Sequence, residues 1–85
     1  MTHQTYTAVP DEIEREVQLS FVQNEIRSLM ARREQITRLI RVLASAGEPE
    51  ERVKQQQVEL AVVLGRLLGY REQEAELLAA LNKRP

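Results

Sequence analysis

The sequence predicts an all-α protein built as one long antiparallel helical hairpin, in which two helices pack along a coiled-coil-like seam. Three observations support this fold class. Neither proline nor glycine occurs between Pro10 and Gly47. The stretch Gly47-Glu48-Pro49 combines a helix terminator with a helix initiator. Apolar residues on both sides of this stretch recur at alternating spacings of three and four residues, which is the pattern of a heptad seam.

The first helix is predicted to begin at about residue 10 and to end at about residue 46. Pro10 favours the first turn of a helix. Alternatively, Asp11 caps the helix and Glu14 completes a capping box. At about 1.5 Å per residue, this helix is roughly 50 Å long. Residues 1–9 are polar and lack periodicity, so we predict that they form a flexible leader.

A tight turn at residues 47–48 is predicted to join the two helices. Gly47 can adopt the left-handed conformation that closes a helix, and Glu48 precedes a proline and therefore leaves the helical region. The second helix is predicted from about residue 49 to residue 82, with Pro49 in its first turn. A break near Gly69 is the alternative, because glycine in a helix interior costs about 1 kcal/mol relative to alanine.

Heptad spacing predicts which helix faces meet. The seam of the first helix contains Leu19, Val22, Ile26, Leu29, Arg33, Ile36, Ile40 and Leu43. The second helix allows two registers. The first register contains Val53, Gln57, Leu60, Leu64, Leu67, Arg71, Glu74, Leu78 and Leu81. The second register contains Gln56, Leu60, Val63, Leu67, Tyr70, Glu74, Leu77 and Leu81. Two overlapping registers indicate an apolar band that is wider than one partner helix can cover.

The first helix also has apolar side chains outside its seam. Ile13, Val17 and Phe21 recur every four residues, and Leu39 and Val42 follow near the turn. Leaving such surface in water costs about 25 cal/mol per Å². A chain of 85 residues without cysteine has no disulfides to add stability. We therefore predict a homodimer in which two hairpins form a four-helix bundle.

Small residues mark one part of the second helix as a contact surface. Ala61, Gly65 and Gly69 recur every four residues, a spacing that lets two helix backbones approach closely. We expect them to contact a partner helix or a bulky side chain such as Phe21. The predicted interface contains apolar and small residues from both helices: Val17, Phe21, Ala61, Val62, Gly65, Leu68, Gly69 and Tyr70.

Arginines cluster in the second half of the first helix. Residues 27–41 contain five arginines and one glutamate, a balance of 5 − 1 = +4. We interpret this cluster as a solvated face that pairs with the glutamates after the turn, Glu48, Glu50, Glu51 and Glu59. Arg33 falls on the seam, where it would form an interhelical ion pair or fix the register. The alternative is a basic face for nucleic acid, formed by Arg27, Arg38 and Arg41, although no aromatic residue lies among them to stack on a base.

The opposite end of the predicted hairpin is acidic. Four of the six residues 11–16 are acidic and one is arginine, and Glu72, Glu74 and Glu76 lie at the same end. Two hairpins lying antiparallel would place this end beside the arginine-rich half of the other subunit. Because such contacts are screened by ions, we predict that added salt weakens the dimer.

The sequence predicts no catalytic, cofactor or metal site. The carboxylate pairs Glu12/Glu16 and Glu72/Glu76 lie one helical turn apart, but bundle metal sites use Glu-x-x-His motifs, and His3 is the single histidine. No phosphate-binding loop or nucleophile and base motif occurs. The longest apolar run has six residues, far fewer than the roughly 20 of a membrane span. The N-terminal stretch has no secretory pattern, so we expect a cytoplasmic protein that makes no membrane contact.

These features predict a non-enzymatic protein–protein interaction module. A small adaptor, co-chaperone or inhibitor fits, because such proteins act through a shaped helical surface and need no cofactor. We expect the partners to be a second copy of the chain and another protein. The alternatives are a nucleic-acid-binding hairpin and a structural component of a larger assembly.

Overall fold

The chain forms two long α-helices that lie antiparallel and are joined by a four-residue turn. The structure, a computed structural model, describes the backbone of residues 2–83 and the side chains of residues 11–83. Helix α1 spans Thr2–Ser45 and helix α2 spans Glu50–Asn82. No strand occurs within residues 2–83. The all-α helical hairpin predicted from the sequence is therefore confirmed.

Helix α1 begins earlier than the predicted boundary at residue 10. Pro10 lies inside the helix, although its ring nitrogen has no hydrogen to donate to the carbonyl four residues before it. Proline favours a helix start and so predicts a boundary here, but the residues before it include no glycine or further proline that would end the helix. The predicted leader, residues 1–9, lies outside the described side chains, and its flexibility stays a prediction.

Gly47 ends α1 by the geometry that its position in the sequence predicts. Its φ of 71° lies in the left-handed region that favours glycine. The amide of Gly47 donates a hydrogen bond to the carbonyl oxygen of Ala44 (3.2 Å), and the amide of Glu48 donates to that of Leu43 (3.1 Å). This pair of bonds is a Schellman motif, which provides partners for carbonyl groups that a helix end leaves unsatisfied.

Helix α2 starts immediately after Pro49. The carbonyl oxygen of Pro49 accepts a hydrogen bond from the amide of Arg52 (3.0 Å), and no side chain caps this end. Glu50 and Glu51 lie in the first turn, where their negative charges interact favourably with the positive end of the helix dipole. Pro49 precedes the helix, which therefore starts one residue after the predicted start.

Helix α2 is continuous from its first turn to its last. Gly65 and Gly69 both lie inside it, and the break considered near Gly69 does not occur. The side chains flanking Gly69 toward α1, Leu67 and Tyr70, pack against the core between the helices. Contacts on both sides of the glycine therefore favour one straight helix over two shorter ones.

A narrow core between the helices holds the hairpin together. The buried side chains of this core are Val22, Ile26, Ile36, Val63 and Leu67. The partly buried apolar side chains packed against it are Leu29, Ile40, Leu60, Tyr70 and Leu77. Every α1 residue in these two sets belongs to the predicted seam of the first helix. Burying that seam against α2 is the main apolar contribution to the stability of the hairpin.

The structure selects the second of the two registers of α2. Val63 and Leu67 are buried and Tyr70 and Leu77 are partly buried, whereas Arg71 is exposed to solvent. The other register would bring the charge of Arg71 to the seam, where losing its hydration is costly without a partner. The leucines that belong to the first register alone, Leu64 and Leu78, are consequently exposed.

Candidate protein interaction surfaces

An exposed apolar stripe runs along α2 beside the seam. Leu64, Leu68 and Leu78 are 44%, 62% and 40% exposed, and Ala61 and Ala75 are exposed on the same side of the helix. These five residues, here called the α2 stripe, follow the alternating three- and four-residue spacing of the seam, with Arg71 at the position between Leu68 and Ala75. Each follows a seam residue by one position, or about 100° around the helix. The α2 stripe is thus a second heptad surface that α1 does not cover.

The α1 residues on the same face of the hairpin are mainly polar. Two contacts define this face, because the Arg71 Nη2 lies 3.7 Å from the Met30 Sδ and the Gln23 amide nitrogen donates to a Glu74 carboxylate oxygen at 3.2 Å. By helical position this flank of α1 contains Ser20, Gln23, Arg27, Met30, Glu34, Arg38 and Arg41. One face of the hairpin is therefore apolar along α2 and polar along α1, and it is called the stripe face below.

A groove between the helices lies on the opposite face. It has a volume of about 510 Å³ and is lined by Gln18, Phe21, Val22, Tyr70, Gln73, Glu76 and Leu77. Phe21 is exposed, while Tyr70 is partly buried against the core. Two aromatic side chains thus flank one groove of mixed polar and apolar lining that solvent reaches, and aromatic residues are enriched at protein interfaces.

The two helix glycines of α2 have no close neighbour in the hairpin. A Cβ atom built on Gly65 or on Gly69 would meet nothing within 4 Å. Neither glycine is therefore packed against Phe21, which was one of the two contacts expected from the sequence. Both lie on the outward side of α2, where a partner helix is the remaining contact that could use their small size.

The predicted interface residues do not form one patch on the hairpin. Ala61 and Leu68 belong to the α2 stripe, whereas Phe21 and Tyr70 line the groove on the opposite face. Val62 lines a separate pocket between the helices, and Gly69 lines another beside Tyr70. Val17 and Gly65 are exposed. Sequence reasoning missed Leu64, Ala75 and Leu78 as surface residues, because the leucines fit a seam register and Ala75 fits neither.

The arginine cluster is partly neutralised within the hairpin. The Arg32 Nη2 lies 3.0 Å from a Glu59 carboxylate oxygen across the two helices. Arg38 pairs with Glu34 one turn away at 3.5 Å. Among the glutamates expected to pair with this cluster, Glu59 does so, while Glu48 pairs with Arg52 inside its own segment instead. The cluster is therefore less basic than its count of arginines indicates.

The remaining arginines of the cluster differ in their surroundings. Arg33 occupies its seam position and is partly buried, but it forms no side-chain ion pair among residues 11–83. The expected interhelical pair is thus not found. Arg27 donates a hydrogen bond to Asn24 on its own helix, and Arg41 is exposed. In the nucleic-acid alternative, Arg27, Arg38 and Arg41 are the residues of this helix that would contact phosphates.

No metal-binding cluster is found in the part of the chain that the structure describes. No group of three or more His, Cys, Asp or Glu side chains is close enough there to hold an ion. Glu12 and Glu16 both take part in interactions within the hairpin. Within the same described residues, neither helix has a stretch both long and apolar enough to cross a membrane.

Comparison with known proteins finds no match to a family model, a curated protein or a solved structure. The surfaces described above therefore carry the functional argument on their own.

Proposed function

We propose that this chain is a non-enzymatic protein–protein interaction module that works as a homodimer, with two hairpins forming a four-helix bundle. The α2 stripe is the observation that carries the proposal. It has heptad spacing and large exposed leucines, and it lies beside a core of only five buried residues among those described. A hairpin with so narrow a core gains more from covering a second stripe than from leaving it in water.

Molar mass in solution tests the dimer directly. The chain has a mass of 9.8 kDa, so a dimer has 2 × 9.8 = 19.6 kDa. We expect light scattering to give the dimer mass for the natural chain and the monomer mass for Leu68→Glu, because a carboxylate inside an apolar interface loses its hydration. Val58→Glu is the matched control, since Val58 is similarly exposed but lies on the face opposite the stripe face, where it lines a pocket with Ser28 and Arg32. A natural chain that stays monomeric at high concentration would reject the homodimer.

The groove that contains Phe21 and Tyr70 is the surface we propose for another protein. It lies on the face opposite the α2 stripe, so a dimer formed through the stripe leaves it open. Glu76 lines the groove and Glu25 lies on the same flank of α1, so a helix with an apolar face and basic residues complements it in charge. An adaptor, co-chaperone or inhibitor would use such a groove.

Affinity isolation from native cells, with paired variants, tests this second surface. Phe21→Arg should lose the bound protein, because it removes the aromatic contact and adds positive charge that repels a basic helix. Val42→Arg should retain the bound protein, because Val42 is also exposed and the substitution adds the same charge 21 residues along α1 from Phe21, or about 30 Å at about 1.5 Å per residue. Equal recovery by both variants would count against the groove. The proposal includes a cytoplasmic location, which cell fractionation tests.

A further inference from the structure

We propose that a second copy of this chain covers the α2 stripe with its own α2 stripe, and that the two α2 helices run antiparallel about a twofold axis. This inference rests on the homodimer proposed above and adds its surface, its orientation and its register. The same patch then serves both subunits, as an isologous interface requires.

The composition of the stripe face decides between two twofold arrangements. If the two hairpins pointed the same way, the axis would run along them, and each α2 would pack on the α1 of the other copy. The α2 stripe would then meet Arg27, Glu34 and Arg38, which would have to lose hydration against leucines. If the hairpins point in opposite directions, α2 meets α2 and α1 meets α1. Apolar surface then covers apolar surface, and polar residues face polar residues.

The spacing of large and small residues sets the register. When two copies of one helix pack antiparallel, the numbers of the residues that face each other add to a constant. A constant of 139 lets the α2 stripes of the two copies overlap along their whole length. Ala61 then faces Leu78 of the other copy, and Leu64 faces Ala75. Both of these layers pair a large side chain with a small one, which fills the space between two helices evenly. At the two ends, Gln57 faces Asn82, so the polar residues of this heptad surface also meet each other.

Charge along α1 supports the opposed orientation. Opposed hairpins bring residues 11–16, with four acidic residues and one arginine, beside the second half of α1 of the other copy, which carries the exposed Arg38 and Arg41. Hairpins aligned in the same direction would place acidic ends together and arginines together. Complementary charges of this kind select orientation more than they add affinity.

The area available is sufficient for a stable dimer. Helix α2 has 33 residues, which gives a length of about 50 Å at about 1.5 Å per residue. Two helices side by side are roughly 20 Å wide. The stripe face therefore offers on the order of 1,000 Å² per subunit, compared with about 800 Å² in an interface of standard size.

Arg71 is the one charged residue among the α2 positions 61, 64, 68, 71, 75 and 78 of this interface. In the proposed register it faces Leu68 of the other copy, and the two Arg71 side chains lie close to the twofold axis. A charged residue at such a position lowers the stability of the pair while fixing its register. Replacing it with leucine should therefore tighten the dimer, whereas an interface elsewhere on the hairpin would be unaffected.

Cysteine crosslinking tests the orientation and register, because the natural chain contains no cysteine. Two variants, Ala61→Cys and Leu78→Cys, are unfolded, mixed, refolded together and treated with a short bis-maleimide, with a tag on one of them to identify mixed dimers. We expect crosslinks between the two variants and few in either variant alone. Two copies of residue 61 would be separated along the axis by about 25 Å, or 17 residues at about 1.5 Å each.

The control pair is Val58→Cys with Glu76→Cys, which has a similar separation along α2 but lies on the face opposite the stripe face. It should give no crosslink above background. A dimer by light scattering that fails to crosslink through residues 61 and 78 would overturn this inference and leave the proposed homodimer standing. A natural chain that is monomeric would reject the homodimer itself.

Arg71→Leu provides a second test that does not depend on crosslinking. We expect it to lower the Kd of the dimer by about tenfold, equivalent to about 1.4 kcal/mol, as measured by dilution in light scattering or ultracentrifugation. Circular dichroism confirms that each variant is helical before its mass is interpreted. A Kd that is unchanged or raised would overturn the placement of Arg71 at the centre of the interface.

Discussion

Leu67 and Leu68 are adjacent in the sequence but lie in opposite environments, with Leu67 4% exposed and Leu68 62% exposed. The 100° step between neighbouring helical residues directs Leu67 into the core and Leu68 to the α2 stripe. One residue therefore supports the hairpin and the next supports the proposed dimer.

This difference predicts distinct effects for two alanine substitutions. Leu67→Ala should lower the free energy of unfolding by about 2–5 kcal/mol at every protein concentration, because it leaves a cavity in the core. Leu68→Ala should lower apparent stability mainly at high protein concentration, where the dimer forms. Urea denaturation at two protein concentrations measures both effects. Equal losses for the two variants, independent of concentration, would contradict the assignment of Leu68 to an intermolecular contact.

Gly47→Ala should destabilise the hairpin by about 1–2 kcal/mol, because an L-residue with a side chain is strained at its left-handed φ. Gly47→Asn should cost less, since asparagine tolerates this conformation better than alanine. Thermal denaturation of the two variants at one protein concentration compares them. If alanine were as stable as glycine here, the Schellman motif at the end of α1 would not contribute as described.

Gly69→Ala should stabilise the protein, in contrast to Gly47→Ala. A Cβ at Gly69 meets no neighbour within 4 Å, and alanine is preferred over glycine in a helix interior by about 1 kcal/mol. Because Gly69 lies outside the α2 stripe, this variant should raise the melting temperature without changing the molar mass. A loss of the dimer in Gly69→Ala would instead favour the small-residue contact predicted from the sequence.

The ion pair between Arg32 and Glu59 should contribute little to stability. Both side chains are about half exposed and lie 3.0 Å apart, and pairs of this kind are worth about 0–1 kcal/mol. A double-mutant cycle with Arg32→Ala and Glu59→Ala measures the coupling between them. A coupling above about 2 kcal/mol would show that this pair does more than neutralise the arginine cluster.

Nucleic acid should bind weakly to the natural chain. Arg32 and Arg38 are already paired with glutamates, and few arginines are left to neutralise phosphates. We expect no electrophoretic shift of RNA or DNA at about 0.15 M salt, where phosphate contacts are screened. A shift that disappears in the triple variant Arg27→Glu, Arg38→Glu and Arg41→Glu, but not in Val58→Glu, would support the nucleic-acid alternative.

The sequence alone predicts the hairpin, the turn and the seam of α1, because local spacing and the stretch around Gly47 determine them. It does not predict which register of α2 faces α1. Both registers share Leu60 and Leu67, and the choice depends on the cost of bringing Arg71 to the seam, which appears only when the two helices are packed together. The sequence also predicts too late a start for α1, because proline favours the first turn of a helix, whereas the structure places Pro10 inside α1.

The candidate surfaces are harder to read from the sequence than the fold. Exposed leucines such as Leu64 have the same spacing as buried ones, so periodicity cannot tell a surface stripe from a core. The groove at Phe21 and Tyr70 joins residues that are far apart in the chain and on different helices. Their proximity depends on how the two helices are aligned along their axes.

The single short turn also determines how the hairpin assembles and opens. Contacts near the turn join residues close in sequence, whereas contacts toward the open end join distant ones, since Arg32 and Glu59 are 27 residues apart and Gln23 and Glu74 are 51 apart. Closing a longer loop costs more chain entropy. The helices should therefore zip from residues 46–49 outward during folding and fray from the open end first, so a protease should cut near residues 11–20 well before it reaches the turn.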